Sequence, residues 1–485
     1  MTKARVHVAI VGAGPAGLTA AWEAQAAQLQ TLVLEKDPQY VGGLSRTVVH
    51  NGYRFDIGGH RFFSKSDAVT RWWKERLPGD FIQVRRKSRI FYRGKFFDYP
   101  LKPYNALFNL GFWTSVGCVL SYGWARVFPV KPERSFEDWV SNRFGRRLFN
   151  MFFKTYTEKV WGISTQELSA DWAAQRIKGL SLSKAIFNAF KGQAKADGPA
   201  IKTLVDHFDY PRFGPGQMWE RVAADFTAMG GQLEMGWNVV KLRHAGGRVT
   251  SLLAVGPGGE QREFEADNFI LSLPLQETIL AFDPPLAPEV QAAARKLGYR
   301  DFITVALVVE GENAFPDNWI YIHEPGVKMG RIQNFKNWSA AMIGRDGTTC
   351  LGLEYFCFAG DELWSKSDAE LVELGRRELA QIGIVSADRI REGMVVRMEK
   401  AYPIYDSIYA AQVGLLRAAL AQFSNLQPVG RNGMHKFNNQ DHSMMTAMLA
   451  VKNLQGGNFD LWKVNTDAEY HEESAEEKPV TPYAR

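Results

Sequence analysis

The stretch from Arg5 to Glu35, RVHVAIVGAGPAGLTAAWEAQAAQLQTLVLE, constrains the fold more than any other, because it holds a strand, a glycine-rich turn, a helix and a second strand in order. Val6, Val8, Ile10 and Val11 make a short buried strand. Gly12, Gly14 and Gly17 then permit a tight turn, close approach of a pyrophosphate and close packing of the helix. A diphosphate placed there sits on a helix N-terminus, where free amides and the helix dipole favour negative charge. Glu35 ends the second strand, Thr31 to Glu35, at the spacing of a carboxylate that accepts from a ribose hydroxyl and disfavours a 2′-phosphate. The expected ligand is a dinucleotide, FAD or NAD(H) rather than NADP(H).

Gly42-Gly43-Leu44-Ser45-Arg46 follows the acidic residue. This run resembles the second diphosphate contact of the large flavoprotein superfamily that contains the amine oxidases. The resemblance implies FAD, with Gly43, Leu44 and Arg46 among its contacts; an ordinary glycine turn is the competing explanation. Two later blocks look like returns of the same domain. In the first, Tyr210 to Leu242, YPRFGPGQMW precedes an amphipathic helix and GGQLEMGWNVVKL, and Phe269 to Pro274 closes the block as a buried strand and turn. In similar flavoproteins the strand carrying Val239 runs beside the adenine, and the segment matching Phe213-Gly214-Pro215-Gly216 faces the flavin. In the second, Pro428 to Leu454, Gly430 and Gly433 precede Asn438-Asn439-Gln440-Asp441 and a helical run, with Asp441 the expected N-cap. A helix starting there would aim its positive end at the flavin pyrimidine, with Gly430, Arg431, Asn439 and Gln440 as contacts. A capped surface helix is the alternative.

The fold class expected is α/β: a discontinuous Rossmann-type FAD-binding domain with a helical insertion and a second, mainly antiparallel β-sheet substrate domain. The FAD-binding parts are residues 1–80, 206–290 and 397–462. Residues 81–103 supply strands of the substrate sheet and 104–205 a helical cap. Residues 291–396 carry the strand-like runs FITVALVVEG, NWIYIHE and CLGLEYFCF. Residues 463–485 form an acidic, solvated tail. A chain of 485 residues with 46% hydrophobic and 23% charged side chains can build cores of this size, so disorder is not indicated. There is no internal repeat and no second glycine fingerprint, so a pyridine nucleotide would have to bind the flavin domain from outside.

Cys118, Cys350 and Cys357 show neither metal spacing nor an even disulfide framework, which suits a reducing cytoplasm and no metal. The basic opening from Met1 to Arg5 imitates a secretory leader, yet the fingerprint explains the following residues, so a mature cytoplasmic N-terminus is expected. Net charge is +6, with a cluster of Arg85, Arg86, Lys87, Arg89, Arg93 and Lys95. A solvated face, or attraction to anionic substrates or lipid head groups, accounts for such a cluster; nucleic acid is not expected. Pro103 to Ala125 carries no charge and approaches the length of a membrane span. Its glycines and asparagines favour buried or interfacial helices over insertion, leaving peripheral membrane contact open.

Several stretches outside the nucleotide fold resemble UDP-galactopyranose mutases: Asp56-Ile57-Gly58-Gly59-His60-Arg61-Phe62, Tyr92-Arg93-Gly94-Lys95-Phe96-Phe97, and Tyr156-Thr157-Glu158-Lys159-Val160-Trp161-Gly162. The fingerprint, the GPGQM block and the FILSLP strand are equally similar to protoporphyrinogen oxidases, phytoene desaturases and amine oxidases. The mutase resemblance implies that His60 lies against the flavin beside Gly59, and that Tyr156 and Trp161 line a nucleotide pocket. It also implies that Arg176 and Arg331 hold a diphosphate bidentately. A core histidine, helix-core aromatics and surface ion pairs are the respective alternatives. Phe437 stands where the mutases carry a phosphate-gripping tyrosine, Asn439 where they carry an aspartate, and Val160 where they carry a glutamine, which alters what the pocket can bind.

These features predict an FAD-dependent oxidoreductase acting on a sugar-nucleotide or lipid-linked phosphorylated substrate, reset by an external electron donor or acceptor. The alternative is a mutase-like isomerase using reduced FAD as nucleophile, and a flavin-binding assembly protein is a third class.

Overall fold

The structure, a computed structural model, describes residues 5–99, 105, 109–170, 172–173 and 206–465. Arg176 and the tail beyond Asn465 lie outside the described residues. The opening unit forms as its sequence predicts: strand β1 (Val6–Val11), helix α1 (Pro15–Ala26) and strand β2 (Thr31–Glu35). β1 pairs in parallel with β2 on one side and with Gln261–Leu271 on the other. Gln232–Met235 and Leu426–Pro428 extend the parallel set, so stretches far apart in sequence meet in one sheet.

Parallel strands need cover on both faces, and their sequences are correspondingly apolar throughout. Val8, Ile10 and Val33 pack under α1 and the helices Pro215–Ala228 and Gln440–Leu454. Ala9, Val11, Leu32 and Leu34 face the other way, against an antiparallel meander and the helix Tyr409–Leu420. Gln261–Leu271 joins the two parts: its first half pairs antiparallel with Arg248–Val255, its second half parallel with β1.

A second sheet of seven strands runs in the order Ile390–Pro403, Tyr299–Glu310, Thr348–Cys357, Arg331–Asn334, Trp319–Ile322, Ser88–Tyr92, Lys95–Asp98. Its pairings are antiparallel except that between Trp319–Ile322 and Ser88–Tyr92. Phe81–Arg85, expected in this sheet, instead pairs with His207–Pro211. Strand alternation sorts the side chains. Ile303, Ile320, Ile332, Leu353 and Tyr355 form a core under the helix Asp368–Gln381, an element that the strand-like runs had concealed. Phe302, Trp319 and Phe356 point the opposite way, toward the hairpin Thr47–His50 and Tyr53–Asp56, and Arg331, Gln333 and Glu354 share their face. That inner face, looking at the nucleotide-fold sheet, carries the candidate site.

Helices dominate the described part of the insertion: Phe112–Val127, Phe136–Phe144, a π-helical turn Phe149–Lys154, and Thr155–Trp161. Ser135 and Asp138 cap the second of these reciprocally.

Candidate active site

The glycine turn leaves no room for a side chain at Gly12 or Gly17. Gly12 has φ +96°, and a Cβ there would lie 2.3 Å from Ser272 Oγ. A Cβ on Gly17 would lie 1.7 Å from the Gly12 carbonyl oxygen, so the first turn of α1 rests directly on the loop. A Cβ on Gly43 (φ +54°) would come within 3.4 Å of Gly14 Cα, which sets the Gly42–Gly43 turn opposite the fingerprint as the second wall of a cradle. No side chain caps α1, leaving its first amides to an anion.

Glu35 is buried and accepts from the Ala13 N–H at 2.5 Å and the Asp37 N–H at 2.9 Å. Burial raises its pKa, and those two bonds oppose the shift. Trp237 donates its N–H to the Glu35 carbonyl, which brings the strand bearing Val239 to the end of β2. Leu44 lies in the turn Gly43–Ser45; Arg46 next to it is tied to Asp37 at 2.5 Å, while its buried Nε has no partner. A Cβ on Gly430 would lie 3.0 Å from Ala16 Cβ, holding the third stretch against α1.

The last helix, Gln440–Leu454, begins one residue before Asp441 and its N-cap is Asn439, not Asp441 as expected. Asn439 has the extended backbone of an N-cap and donates its N–H to His442 Nδ1 at 3.3 Å. Asp441 is drawn into the first turn, where burial pushes its carboxyl up to about 6. Gln440 Oε1 accepts from the Trp219 indole at 3.0 Å, and its buried Nε2 has no partner. A glycine cradle at a bare helix start, with unpartnered buried donors on Arg46 and Gln440, fits an acceptor-rich dinucleotide. Gly12, Gly14, Gly17, Glu35, Gly43, Arg46 and Gln440 would hold it.

The Gly58-Gly59-His60 turn follows a buried network centred on Asp56. Asp56 is fully buried; Tyr210 donates its hydroxyl to one carboxyl oxygen and Thr47 to the other at 3.0 Å. Thr47 in turn accepts from the Gly216 N–H at 3.0 Å. Burial pushes the Asp56 carboxyl up to about 8 against those bonds. A Cβ on Gly59 would meet Gln333 Nε2 and the Trp338 ring at 3.1 Å, a tight approach of the turn to the second sheet.

His60 is half-buried. Burial, then the charges of Arg431 and Arg331, hold its pKa down to about 3, so the imidazole is neutral, and its Nδ1 has no partner. Toward the second sheet, Arg331 donates its Nε to Glu354, a side chain without solvent exposure that also accepts from Gln333 at 2.7 Å. Burial acts to lower the Arg331 pKa, but Glu354 and the neighbouring tyrosines outweigh it and keep it above its ordinary value. Arg331, expected to hold a diphosphate, is thus paired through its Nε with Glu354. Tyr156 follows the π-helical turn, stacks on His323 at 4.4 Å and meets Tyr321 edge-on at 5.8 Å. Tyr99 lies 4.8 Å from Tyr321, and the guanidinium groups of Arg86 and Arg61 lie 5.4 and 5.6 Å from the Trp319 ring.

On the other side of His60, Arg431 lies 4.9 Å from the Phe437 ring and 5.3 Å from Tyr402, which stack on each other at 5.6 Å. Trp161 closes this group at 6.2 Å from Phe437, but it is buried against Trp172 in the helical core and presents little surface to a ligand. His60, Tyr156, Arg331, Arg431 and Phe437 therefore gather in one place. Glu354, Tyr321, Tyr99 and Arg86 join them without having been singled out. Arg86 was visible only as part of a basic run, and Glu354 becomes a partner only through strand register.

A glycine-built dinucleotide cradle on a parallel sheet, facing an aromatic and cationic second sheet, defines a two-sheet flavin-dependent enzyme. The model of the flavin containing amine oxidoreductase family matches residues 15–425, and the chain belongs to that family, with FAD as its cofactor. The fold is similar to that of reduced UDP-galactopyranose mutase, at 20% identity over 95% of this chain and 98% of that one, with a TM-score of 0.81. It is also similar to putrescine oxidase bound to putrescine (17% identity, 94% and 100% coverage, TM-score 0.61). A CLA-producing fatty acid isomerase from P. acnes gives 15% identity, 92% and 98% coverage and a TM-score of 0.60. At these identities the likeness is one of fold, and the fold hosts both oxidases and isomerases.

Proposed function

We propose that the chain is an FAD-dependent oxidoreductase acting on a sugar-nucleotide or lipid-linked phosphorylated substrate in glycoconjugate or polysaccharide synthesis. The observation that carries this is an excess of guanidinium charge over an aromatic floor. Among the described residues Arg431 and Arg86 form no ion pair, whereas Arg331 is balanced by Glu354. Planar cations over aromatic rings, Arg86 over Tyr99 and Trp319 and Arg431 over Tyr402 and Phe437, suit a substrate with phosphate oxygens and a ring. FAD would supply two-electron chemistry when bound, accepting a hydride from a substrate C–H or N–H, with an external electron acceptor reoxidising it. Arg86 and Arg431 would anchor the phosphate, and the tyrosines would set the ring orientation. His60, neutral at every physiological pH, would accept a hydrogen bond at Nδ1 and orient a substrate hydroxyl rather than carry a proton back and forth.

A second reading is a mutase-like isomerase needing reduced flavin and no net redox change. The higher fold similarity to reduced UDP-galactopyranose mutase favours it. Phe437 weighs against it, since an aromatic face packed on Tyr402 stands where a phosphate-gripping hydroxyl would be needed.

Titration of the oxidised holoenzyme with UDP and with a polyprenyl phosphate, followed through the flavin spectrum, tests the anionic site. Binding by at least one is expected, weakened about tenfold or more in Arg86→Met, the scale of one charge-assisted hydrogen bond. No perturbation by either anion, or unchanged affinity in the variant, would refute it.

A further inference from the structure

The helix Phe112–Val127 is turned inside out relative to a helix of a water-soluble monomer. Its inward face holds the small residues Ser115 and Cys118, and its Ser121 hydroxyl accepts from the Arg147 N–H at 3.1 Å. Its outward face holds Phe112, Trp113, Leu120, Trp124 and Val127, which with Phe128 are between 60 and 82% exposed. Successive residues four apart, Phe112, Val116, Leu120, Trp124 and Phe128, mark one continuous stripe. An aromatic pair closes each end, Phe112 on Trp113 at 5.2 Å and Trp124 on Phe128 at 4.5 Å. A contiguous apolar patch of this kind marks an interaction surface.

Charge indicates what covers it. No acidic residue occurs between Asp98 and Glu133. Exposed Arg126 and Lys131 lie at the C-terminal end of the helix, and Lys95, exposed, donates to the Asn109 carbonyl at 2.7 Å beside its start. The nearest acids are already paired, Glu133 with Arg143 at 2.7 Å and Glu137 with Arg146 at 3.2 Å. An apolar face with tryptophans and a basic rim fits an anionic bilayer interface. Two copies of the same basic-rimmed face would repel. The helix is about 24 Å long at 1.5 Å per residue, short of a hydrocarbon core of about 30 Å. Among the described residues no helix is long and apolar enough to cross a membrane.

We propose that Phe112–Val127 lies in the surface of a bilayer containing anionic phospholipid and docks the enzyme there, a role independent of the substrate proposed above. The test is flotation of the holoenzyme with phosphatidylcholine vesicles, with and without a minor share of phosphatidylglycerol, at low and high salt. The expected result is flotation with the anionic vesicles, reduced by salt. Trp113→Ser/Trp124→Ser should lower partitioning by about a hundredfold, roughly tenfold for each aromatic withdrawn from an apolar phase. Arg126→Glu/Lys131→Glu should abolish the preference for phosphatidylglycerol, and retained flavin absorbance establishes that each variant is folded. No flotation of the wild type, or equal flotation of the tryptophan variant, would overturn the proposal. So would a dimer in solution that the tryptophan variant dissociates while vesicles are ignored.

Discussion

Removing Glu354 should destabilise the enzyme while tightening its hold on anions. Glu354 lies opposite Arg331 on adjacent strands, has no solvent exposure, and accepts from both Arg331 and Gln333. Glu354→Gln keeps the shape but leaves a buried guanidinium uncompensated, and breaking a buried pair this way costs about 3–5 kcal/mol. The Arg331 side chain is 22% exposed, which places the expected loss near the lower end, about 3 kcal/mol. Arg331→Met/Glu354→Gln removes the stranded charge as well, so the double variant should lose less than the sum of the single ones, with a coupling of about 2 kcal/mol. Urea unfolding at fixed excess flavin, followed by circular dichroism and flavin fluorescence, measures all three. The gain in net positive charge should also tighten UDP binding in Glu354→Gln. Additive losses, with no tightening, would refute the pairing as the source of either effect.

Gly17→Ala would bring a methyl within 1.7 Å of the Gly12 oxygen and push α1 off its loop, so the purified variant should lose its flavin and about 3 kcal/mol of stability; a wild-type flavin-to-protein absorbance ratio would contradict this. His323 and His435 are held down to about 3 by burial against an ordinary 6.5. The unfolded chain therefore binds protons that the folded chain refuses, and stability should fall as pH drops from about 6.5 toward 3, by about 1.4 kcal/mol per pH unit for each group. His323→Phe should remove one proton from that slope, and an unchanged slope in urea midpoints would count against it. Asp56 has the opposite sign: its carboxyl stays protonated up to about 8 in the fold but ionises from 3.8 when unfolded, so its contribution is lost as pH rises between those values. Asp56→Asn should gain on the wild type as pH rises across that window, and a constant gap would rule out a protonated Asp56.

What could be read in the sequence was what is decided locally. Gly17 answers a steric demand five residues away, at the Gly12 carbonyl, whereas the neighbours of Gly12 and Gly14, Ser272 and Gly43, come from elsewhere in the chain; the apolar strand β1 could only be buried on both faces. The inner face of the second sheet was half legible, since alternation separates Trp319 from Ile320 but says nothing of the neighbour across the strand. Arg331 read as either a diphosphate clamp or half of an ion pair, because Glu354, 23 residues away, becomes its partner only through register. The basic run read as a solvated face or an attractor of anions, and nothing in it separates its members: Arg89 turns inward onto Asp317 at 2.6 Å and Arg86 onto Trp319. Asp441 read as an N-cap because an acid before a helical run is a common start; Asn439 takes that place and Asp441 is buried. The helix Asp368–Gln381 carried a start signal in Ser367 and Glu370, masked by the strands on both sides. The outward polarity of Phe112–Val127 depends on which face meets the rest of the protein, which no periodicity states.

The most direct measurement mixes the oxidised holoenzyme, without oxygen, with UDP-sugars and with sugar-linked prenyl phosphates, and follows flavin absorbance and product mass together. Bleaching of the flavin with a product two hydrogens lighter is the expected result. Unchanged absorbance, with an isomer of unchanged mass formed only after the flavin has been reduced beforehand, would contradict an oxidoreductase and leave a non-redox isomerase.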